Sequence, residues 1–86
     1  MFLHLGGNID ILNQEIIAIL DYQSIRNNPD HQYIADRCNS IHPTDQDKIK
    51  SVILTREEIY FSPISSLTLK KRADIYSLVK GEAYDQ

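Results

Sequence analysis

The feature that most constrains the fold is a run of five consecutive apolar residues, Ile16-Ile17-Ala18-Ile19-Leu20. A run of this length, rich in β-branched isoleucine, is typical of a strand that is buried on both of its faces. The chain has 86 residues, which is enough for one domain but not for two. The layers that cover such a strand therefore belong to the same domain as the strand. We predict a single domain over residues 1–80, followed by a flexible tail at 81–86.

Four shorter segments predict further strands around this run. The first ends in Gly6 and Gly7, which tolerate positive φ and so favour a tight turn. The last two segments, 49–54 and 59–61, flank a polar loop at 55–58 and predict a hairpin. The four segments are 2–5, 9–11, 49–54 and 59–61. Because apolar side chains alternate onto both faces of that hairpin, either the second predicted helix crosses it or another subunit covers it.

Two segments predict helices. Asn28 and Pro29 form a helix-start signal. The stripe that follows on one face consists of Tyr33, Ile34, Arg37, Cys38 and Ile41. The second helix is capped by Ser65 or Ser66 and stops at Gly81. Its apolar stripe consists of Leu69, Ala73, Tyr76 and Val79. The sequence therefore predicts an α+β fold with a small mixed sheet of about five strands and two helices.

Composition excludes several classes of protein. No stretch approaches the roughly 20 apolar residues that a membrane span needs, and no Lys or Arg precedes Arg26, which argues against a signal peptide. The one cysteine, Cys38, excludes an internal disulfide and a Cys-rich zinc module. We expect a cytoplasmic globular domain with no membrane contact. A domain this small buries a limited share of its surface, which favours a homo-oligomer.

The net charge of −3 conceals a strong asymmetry along the chain. Residues 48–72 contain six basic and two acidic residues, whereas the remainder contains three basic and ten acidic residues. A basic block within an acidic chain is compatible with a positive surface for a polyanion, with a solvated face, or with pairing to acidic patches on a neighbouring copy. The count alone favours the solvated face, because charge segregation is common on protein surfaces.

The residues that carry chemistry in enzymes are sparse. Cys38 and His42 are four apart and would share a face of a continuous helix, but Pro43 predicts that the helix ends before His42. Cys38 lies on the apolar stripe, so we interpret it as a core residue and not as a nucleophile or a metal ligand. His4 is interpreted as a structural or interface histidine. We expect no enzymatic activity, no metal and no cofactor.

The basic residues offer a more specific pattern. Lys48 and Lys50 alternate on a predicted strand and would point to one side of the sheet. Lys70, Lys71 and Arg72 follow the predicted helix start at Ser65-Ser66 by about one turn and lie off the apolar stripe. Cations near a helix N-terminus favour contact with backbone phosphates. These five residues are the predicted DNA-binding residues.

Four segments carry a resemblance to a known family: Phe2–Gly7, Ile16–Asp21, Lys50–Thr55 and Ile59–Ala73. The last is the most specific, because it combines Ser62-Pro63-Ile64-Ser65-Ser66 with Lys70-Lys71-Arg72. Together they closely resemble the RemA/RemB family of bacterial extracellular-matrix regulators, in particular its RemB-like branch. The resemblance covers residues 1 to about 75.

The resemblance implies a small DNA-associated regulator that promotes expression of biofilm-matrix genes. It implies a LytTR-like fold and assembly into a homo-oligomer, which in the RemA branch is a closed ring that bends duplex DNA and holds it through arginines. The basic positions of that branch fall near Gln14, Asp47 and Lys48 here. Lys48, with Lys50 beside it, keeps the positive charge.

The sequence leads to one principal hypothesis and one alternative. The first is a transcriptional regulator of matrix genes that binds the phosphates of double-stranded DNA as a homo-oligomer. The alternative is an oligomeric protein-interaction module that partners a RemA-like protein without strong DNA binding of its own, because ten acidic residues lie outside the basic block.

Overall fold

The structure, a computed structural model, describes the backbone of residues 2–79 and the side chains of residues 2–73. The strands are β1 (Phe2–Gly6), β2 (Ile9–Leu12), β3 (Ile16–Asp21), β4 (Ser51–Thr55) and β5 (Ile59–Ser62). The helices are α1 (Tyr22–Arg26), α2 (Gln32–Ile41) and α3 (Ser66–Val79). Short 3₁₀ turns span Asn13–Glu15, Pro29–His31 and Gln46–Lys48. The predicted α+β class is confirmed.

The strands form two antiparallel sheets instead of the single mixed sheet that was predicted. β1 pairs with β2, and the order in the second sheet is β3-β4-β5. The β1–β2 hairpin lies on one face of the three-stranded sheet, where Leu3 and Leu5 share a core with Ile53. Burial of the hairpin's apolar face on top of the sheet decides this arrangement, and the strand pattern alone does not reveal it.

The strand that is buried on both faces is β4, not β3 as predicted. β3 lies at the edge of its sheet, and Ile17 is 65% exposed beside a shift in register between Ile16 and Ala18. Val52 and Ile53 of β4 are both fully buried, although they point to opposite faces. β4 is central because it pairs with both neighbours, and its two faces therefore meet two separate cores.

Each face of the three-stranded sheet has its own hydrophobic core. On one face α1 and α2 bury Tyr22, Ile25, Ile34 and Cys38 against the sheet. On the other face the β1–β2 hairpin and α3 contribute residues such as Leu3, Leu5, Ile11 and Leu69. Of the two alternatives predicted for covering the β4–β5 hairpin, the structure shows the first, because a helix of the same chain, with the β1–β2 hairpin, covers the second face.

The helices before β4 differ from the prediction in number, because the structure has two where one was predicted. A helix that was not predicted, α1, is capped by Asp21, whose side chain accepts a hydrogen bond from the Ser24 backbone N–H at 3.3 Å. Asn28 caps the 3₁₀ turn at Pro29–His31, and α2 follows it.

The buried face of α2 is rotated relative to the predicted stripe. Ile34, Ala35 and Cys38 are buried, while Tyr33 and Ile41 are 64% and 47% exposed. The predicted stripe was too wide, because only the i, i+1 and i+4 positions are buried, and Ile34 and Cys38 among them share a core with Val52 and Phe61 of β4 and β5.

The start of α3 is as predicted. The Ser65 hydroxyl accepts a hydrogen bond from the Thr68 backbone N–H at 3.2 Å, and Leu69 in the next turn is fully buried. Ala73 is half-buried. The side chains of Tyr76 and Val79, the predicted stop at Gly81 and the tail at 81–86 lie outside the described residues. No helix in the described part of the chain is long and apolar enough to cross a lipid bilayer.

Candidate nucleic-acid interface

Lys48 and Lys50 flank the entry to the central strand. Lys48 ends the 3₁₀ turn, and Lys50 lies in the two-residue link before β4, so the prediction that they alternate on one strand is wrong. The Lys50 backbone N–H donates to the Ser62 carbonyl at 2.8 Å, and its carbonyl accepts from the Tyr22 N–H at 3.0 Å. These bonds hold the backbone rigidly, while both lysine side chains are exposed. We call Lys48 and Lys50 the sheet-end lysines.

Lys70, Lys71 and Arg72 lie in the second turn of α3, and all three are exposed, as predicted. We call them the helix cluster. Leu69, immediately before them, is fully buried in the second core. The cluster is therefore carried by a capped helix that is anchored one residue away, and its position is defined although its side chains are free in solvent.

The sheet-end lysines and α3 originate at the same corner of the molecule. Ser51, next to Lys50, donates its hydroxyl hydrogen to the Ile64 carbonyl at 2.7 Å. α3 begins two residues after Ile64, and at 1.5 Å per residue the helix cluster starts about 6 Å along its axis. The fold thus anchors the start of α3 at the end of β4 that follows Lys50. The helix then runs along β3, where Lys70 lines a cleft together with Ile16–Ile19.

None of these five cations is neutralised within the described part of the chain. The ion pair there joins Arg37 and Glu58, with 3.2 Å between Nη2 and Oε1, and His4 Nδ1 forms a hydrogen bond with Asp10 Oδ1 at 2.7 Å. Asp45 and Asp47 are close to Lys48 in sequence, and Asp74, whose side chain lies outside the described residues, follows the helix cluster by two residues. The helix cluster is the longest run of consecutive exposed cations among the described residues.

Gln14, the remaining position that the resemblance implies, lies at the other end of the sheet. It lines an open cleft of about 400 Å³ together with Glu15, Arg56, Glu57 and Glu58. Ile16 pairs with Thr55, whereas Asp21 pairs with Ser51 beside Lys50, so β3 separates the two ends by about 17 Å. The structure does not bring Gln14 together with the sheet-end lysines.

Cys38 and His42 do not form a reactive pair. Cys38 is fully buried, as predicted for a core residue, and His42 lies just past the end of α2. The imidazole instead packs edge-on against Phe61, with ring centroids 6.0 Å apart. Among the described residues no group of three or more His, Cys, Asp or Glu side chains is arranged to hold a metal ion.

A groove of about 260 Å³ beside Lys48 was missed from the sequence. It lies between the β1–β2 turn and the loop that precedes β4. Its lining residues are Leu5, Gly6, Gly7, Asn8, Ile9, His42, Asp45, Lys48, Ile49, Phe61 and Pro63. They come from four separate parts of the chain. The Gly6-Gly7 pair, which favours a tight turn over a phosphate cradle because a strand follows it, was the one signal in the sequence for this groove.

Comparison with known proteins assigns this chain to a family. The sequence model of the RemA-like family, described as "Extracellular matrix regulatory protein A-like", matches residues 2–73. The chain belongs to the RemA-like family. It is 32% identical over 73 residues to Extracellular matrix regulatory protein B of Bacillus subtilis (strain 168), covering 85% of this chain and 90% of that protein. The RemB-like branch inferred from the sequence is thereby confirmed. No solved structure is significantly similar to the chain.

Proposed function

We propose that this RemA-like protein is a DNA-associated transcriptional regulator of extracellular-matrix and biofilm genes in the cytoplasm. It contacts the phosphates of duplex DNA as a homo-oligomer. Membership of the family and the name of the Bacillus relative support a role in extracellular-matrix regulation. The observation that carries DNA contact is the helix cluster, three consecutive exposed cations on an anchored helix without ion pairs among the described side chains.

Contact through phosphates accounts for the chemistry of this surface. Each cation that neutralises a phosphate releases condensed counterions, so the logarithm of the affinity falls by about 0.9 per contact for each tenfold rise in salt. Five cations on one copy would bind weakly. A homo-oligomer places several such surfaces on one duplex and raises the overall affinity without a new contact. In the described helix α2 the Gln32 amide bonds to Asp36 and the Arg37 guanidinium to Glu58. We therefore expect discrimination to rest on DNA shape and bendability.

Fluorescence anisotropy with a labelled duplex at about 50 and 200 mM salt tests this proposal. Binding is expected at the lower salt and should weaken steeply at the higher. Lys71→Gln should lower the affinity and reduce the salt slope by about one. Arg56→Gln removes the same charge from the turn between β4 and β5, outside the predicted DNA-binding residues, and should leave both unchanged. Absence of binding at the lower salt contradicts the proposal.

One observation favours the alternative, a protein-interaction module that partners a RemA-like protein. Phe2, Ile17 and Leu67 are each more than 60% exposed. Large apolar side chains at this exposure are common at protein interfaces. Capture of a purified RemA-like protein by a chain that retains no duplex DNA would favour this second function over the first.

A further inference from the structure

The outer edge of β3 has backbone groups that can pair with a further strand. The Tyr22 N–H donates to the Lys50 carbonyl at 3.0 Å. Because the groups of an antiparallel ladder alternate in direction, the N–H and C=O groups of Ile19 and Asp21 point away from β4. No strand in the described part of the chain pairs with them. The shift in register of β3 lies before these two residues, so the segment that carries them is regular and suited to strand addition.

α3 lies along the same edge and places a cation there. Lys70 and Ala73 line a cleft whose other wall is Ile16–Ile19 of β3. Ile19 is buried in the core that also contains Leu69 of α3, so its side chain points to the α3 face of the sheet. Lys70 is exposed, and it is the one charged side chain among the described residues that line this cleft. A strand added at this edge therefore lies beside Lys70, and a carboxylate on its α3 face is favoured.

β3 itself carries such a carboxylate. Asp21 is two residues after Ile19 and so points to the same face of the sheet. It is exposed, and its Oδ2 atom accepts hydrogen bonds from the Ser24 N–H at 3.3 Å and the Ser24 hydroxyl at 3.1 Å. Among the described side chains its Oδ1 atom has no partner, and no ion pair joins Asp21 to Lys70. One edge thus presents both a carboxylate and a cation, which makes it complementary to the same edge of a second copy.

We propose that two copies of this chain join their β3 edges about a twofold axis, with Ile19 of each copy opposite Asp21 of the other and Lys70 of each copy paired with that Asp21. Residues that exchange bonds across an antiparallel ladder must both point outward, as Ile19 and Asp21 do. This register forms two such residue pairs without the irregular position Ile17, and it brings Leu20 of both copies together at the axis. The two three-stranded sheets become one continuous sheet with both α3 helices on one face.

This inference specifies the homo-oligomer of the proposed function, on which it rests, and does not depend on contact with DNA. Successive residues of an α-helix are about 100° apart around its axis, so Lys71 and Arg72 point in other directions than Lys70. They stay free to contact phosphates when Lys70 lies in the interface. The twofold axis places both copies of this pair on the same face of the joined sheet, where one duplex can contact them together.

Exchange of the two charges tests the crosswise pairing in sedimentation velocity. Asp21→Lys and Lys70→Glu should each weaken self-association, because like charges then meet at both contacts. An equimolar mixture of the two variants should associate, because every contact again joins opposite charges. Asp74, four residues after Lys70, is the same in all samples and does not account for the difference. A mixture that stays monomeric where the unaltered chain associates overturns the proposal.

Milder variants keep the test valid if a charge reversal disturbs the fold. Asp21 caps α1, and Asp21→Asn retains a good capping residue. Asp21→Asn and Lys70→Gln each remove two ion pairs from the dimer and should raise its dissociation constant about twofold to thirtyfold, the range for two exposed pairs. Lys71→Gln makes the same charge change on the next residue and should leave the constant unchanged. Equal effects of Lys70→Gln and Lys71→Gln contradict the role of Lys70.

Amide hydrogen exchange separates strand pairing from other modes of association. The amides of Ile19 and Asp21 should gain protection as the chain concentration rises. The Tyr22 amide bonds to Lys50 within one copy and should keep its protection at every concentration. Association without protection of Ile19 and Asp21 overturns this inference and leaves the homo-oligomer of the proposed function intact. A chain that is monomeric at every concentration overturns both, while the anisotropy experiment decides contact with DNA separately.

Discussion

At the scale of single residues, two buried serines determine where the last helix begins. The Ser62 hydroxyl donates to the Leu5 carbonyl and accepts from the Ile64 N–H at 3.0 Å, while the Ser51 hydroxyl donates to the Ile64 carbonyl. Both serines are fully buried. Together they satisfy both backbone polar groups of Ile64, join β1, β4 and β5, and orient the chain two residues before α3 starts.

Ser62→Ala should therefore destabilise the fold more than an ordinary polar substitution does. It leaves the Leu5 carbonyl and the Ile64 N–H without their partner in a buried site, and the free energy of unfolding should fall by about 1–3 kcal/mol. Ser40→Ala, at an exposed position of α2, is the matched control and should change it by less than about 0.5 kcal/mol. Urea denaturation measures both, and equal effects would contradict this role of Ser62.

Tyr22 predicts how stability depends on alkaline pH. Burial, with the Cys38 thiol beside the hydroxyl, raises the pKa of Tyr22 to about 12 from its ordinary value of 10.0. The unfolded chain releases this proton near pH 10, while the folded chain retains it. The contribution of Tyr22 is therefore complete below pH 10 and is lost as pH rises towards 12.

Urea denaturation between pH 9 and about 11.5 checks this dependence. The free energy of unfolding should fall as pH rises, and Tyr22→Phe should flatten that part of the curve. Tyr33 is 64% exposed, so Tyr33→Phe removes a hydroxyl from a residue at the surface and should keep the slope of the unaltered chain. A Tyr22→Phe curve parallel to that of the unaltered chain would rule out this assignment.

At the scale of secondary-structure elements, the β1–β2 turn combines a conformational and a steric requirement. Gly6 has positive φ and lies against Pro63, whereas Gly7 has positive φ and open space around it. A side chain at Gly6 is disfavoured twice, by its backbone angle and by the close approach of β1 to the segment after β5. At Gly7 only the backbone angle matters, and asparagine tolerates the left-handed region.

Substitutions at the two glycines should accordingly have unequal effects. Gly6→Ala should lower the free energy of unfolding by roughly 2 kcal/mol, because a non-glycine residue is held at a strained φ beside Pro63. Gly7→Asn should change it by less than about 1 kcal/mol. Thermal and urea unfolding of the two variants give the comparison, and a Gly7→Asn effect as large as that of Gly6→Ala would show that contact with Pro63 is unimportant.

At the scale of the whole molecule, one three-stranded sheet separates two cores that are both completed within the chain. The apolar faces of β4 and β5 therefore do not require another subunit, and this reason for expecting an oligomer no longer applies. A different reason takes its place. Among the residues whose side chains the structure describes, six large apolar ones are exposed: Phe2, Ile9, Ile17, Tyr33, Ile41 and Leu67. Ile17 is notable because it lies on β3, an edge strand. In the described part of the chain no other strand pairs with the outer edge of β3.

We expect the chain to form a homo-oligomer at micromolar concentration, with the β3 edge in the interface. Ile17→Ser should lower the mean sedimentation coefficient, because it removes an apolar contact at that edge. Tyr33→Ser, at equal exposure on α2, should leave it unchanged. A monomer of the unaltered chain in sedimentation velocity would refute self-association, and equal effects of the two variants would place the interface elsewhere.

The sequence by itself determined the local features. The Gly-Gly turn, the hairpin over 55–58, the Ser65 cap, the core position of Cys38 and the exposure of the helix cluster all follow from short-range propensities and hydrophobic periodicity. The run of residues carrying the RemB-like resemblance also identified the family. Each of the structural features depends on residues that are close together in the sequence, so no long-range contact was needed to infer it, whereas the resemblance needed only the order of residues along the chain.

Tertiary structure alone decided which apolar run is central, how many sheets form and which distant residues meet. Ile16–Leu20 is the most apolar run, yet β4 is buried on both faces because it has a strand on each side and a core on each face. The sheet-end lysines and α3 share a corner through Ser51 and Ile64, and the groove joins Gly6 to Lys48 and Phe61. Such placements arise from packing one element on another, a non-local free energy that no single segment encodes.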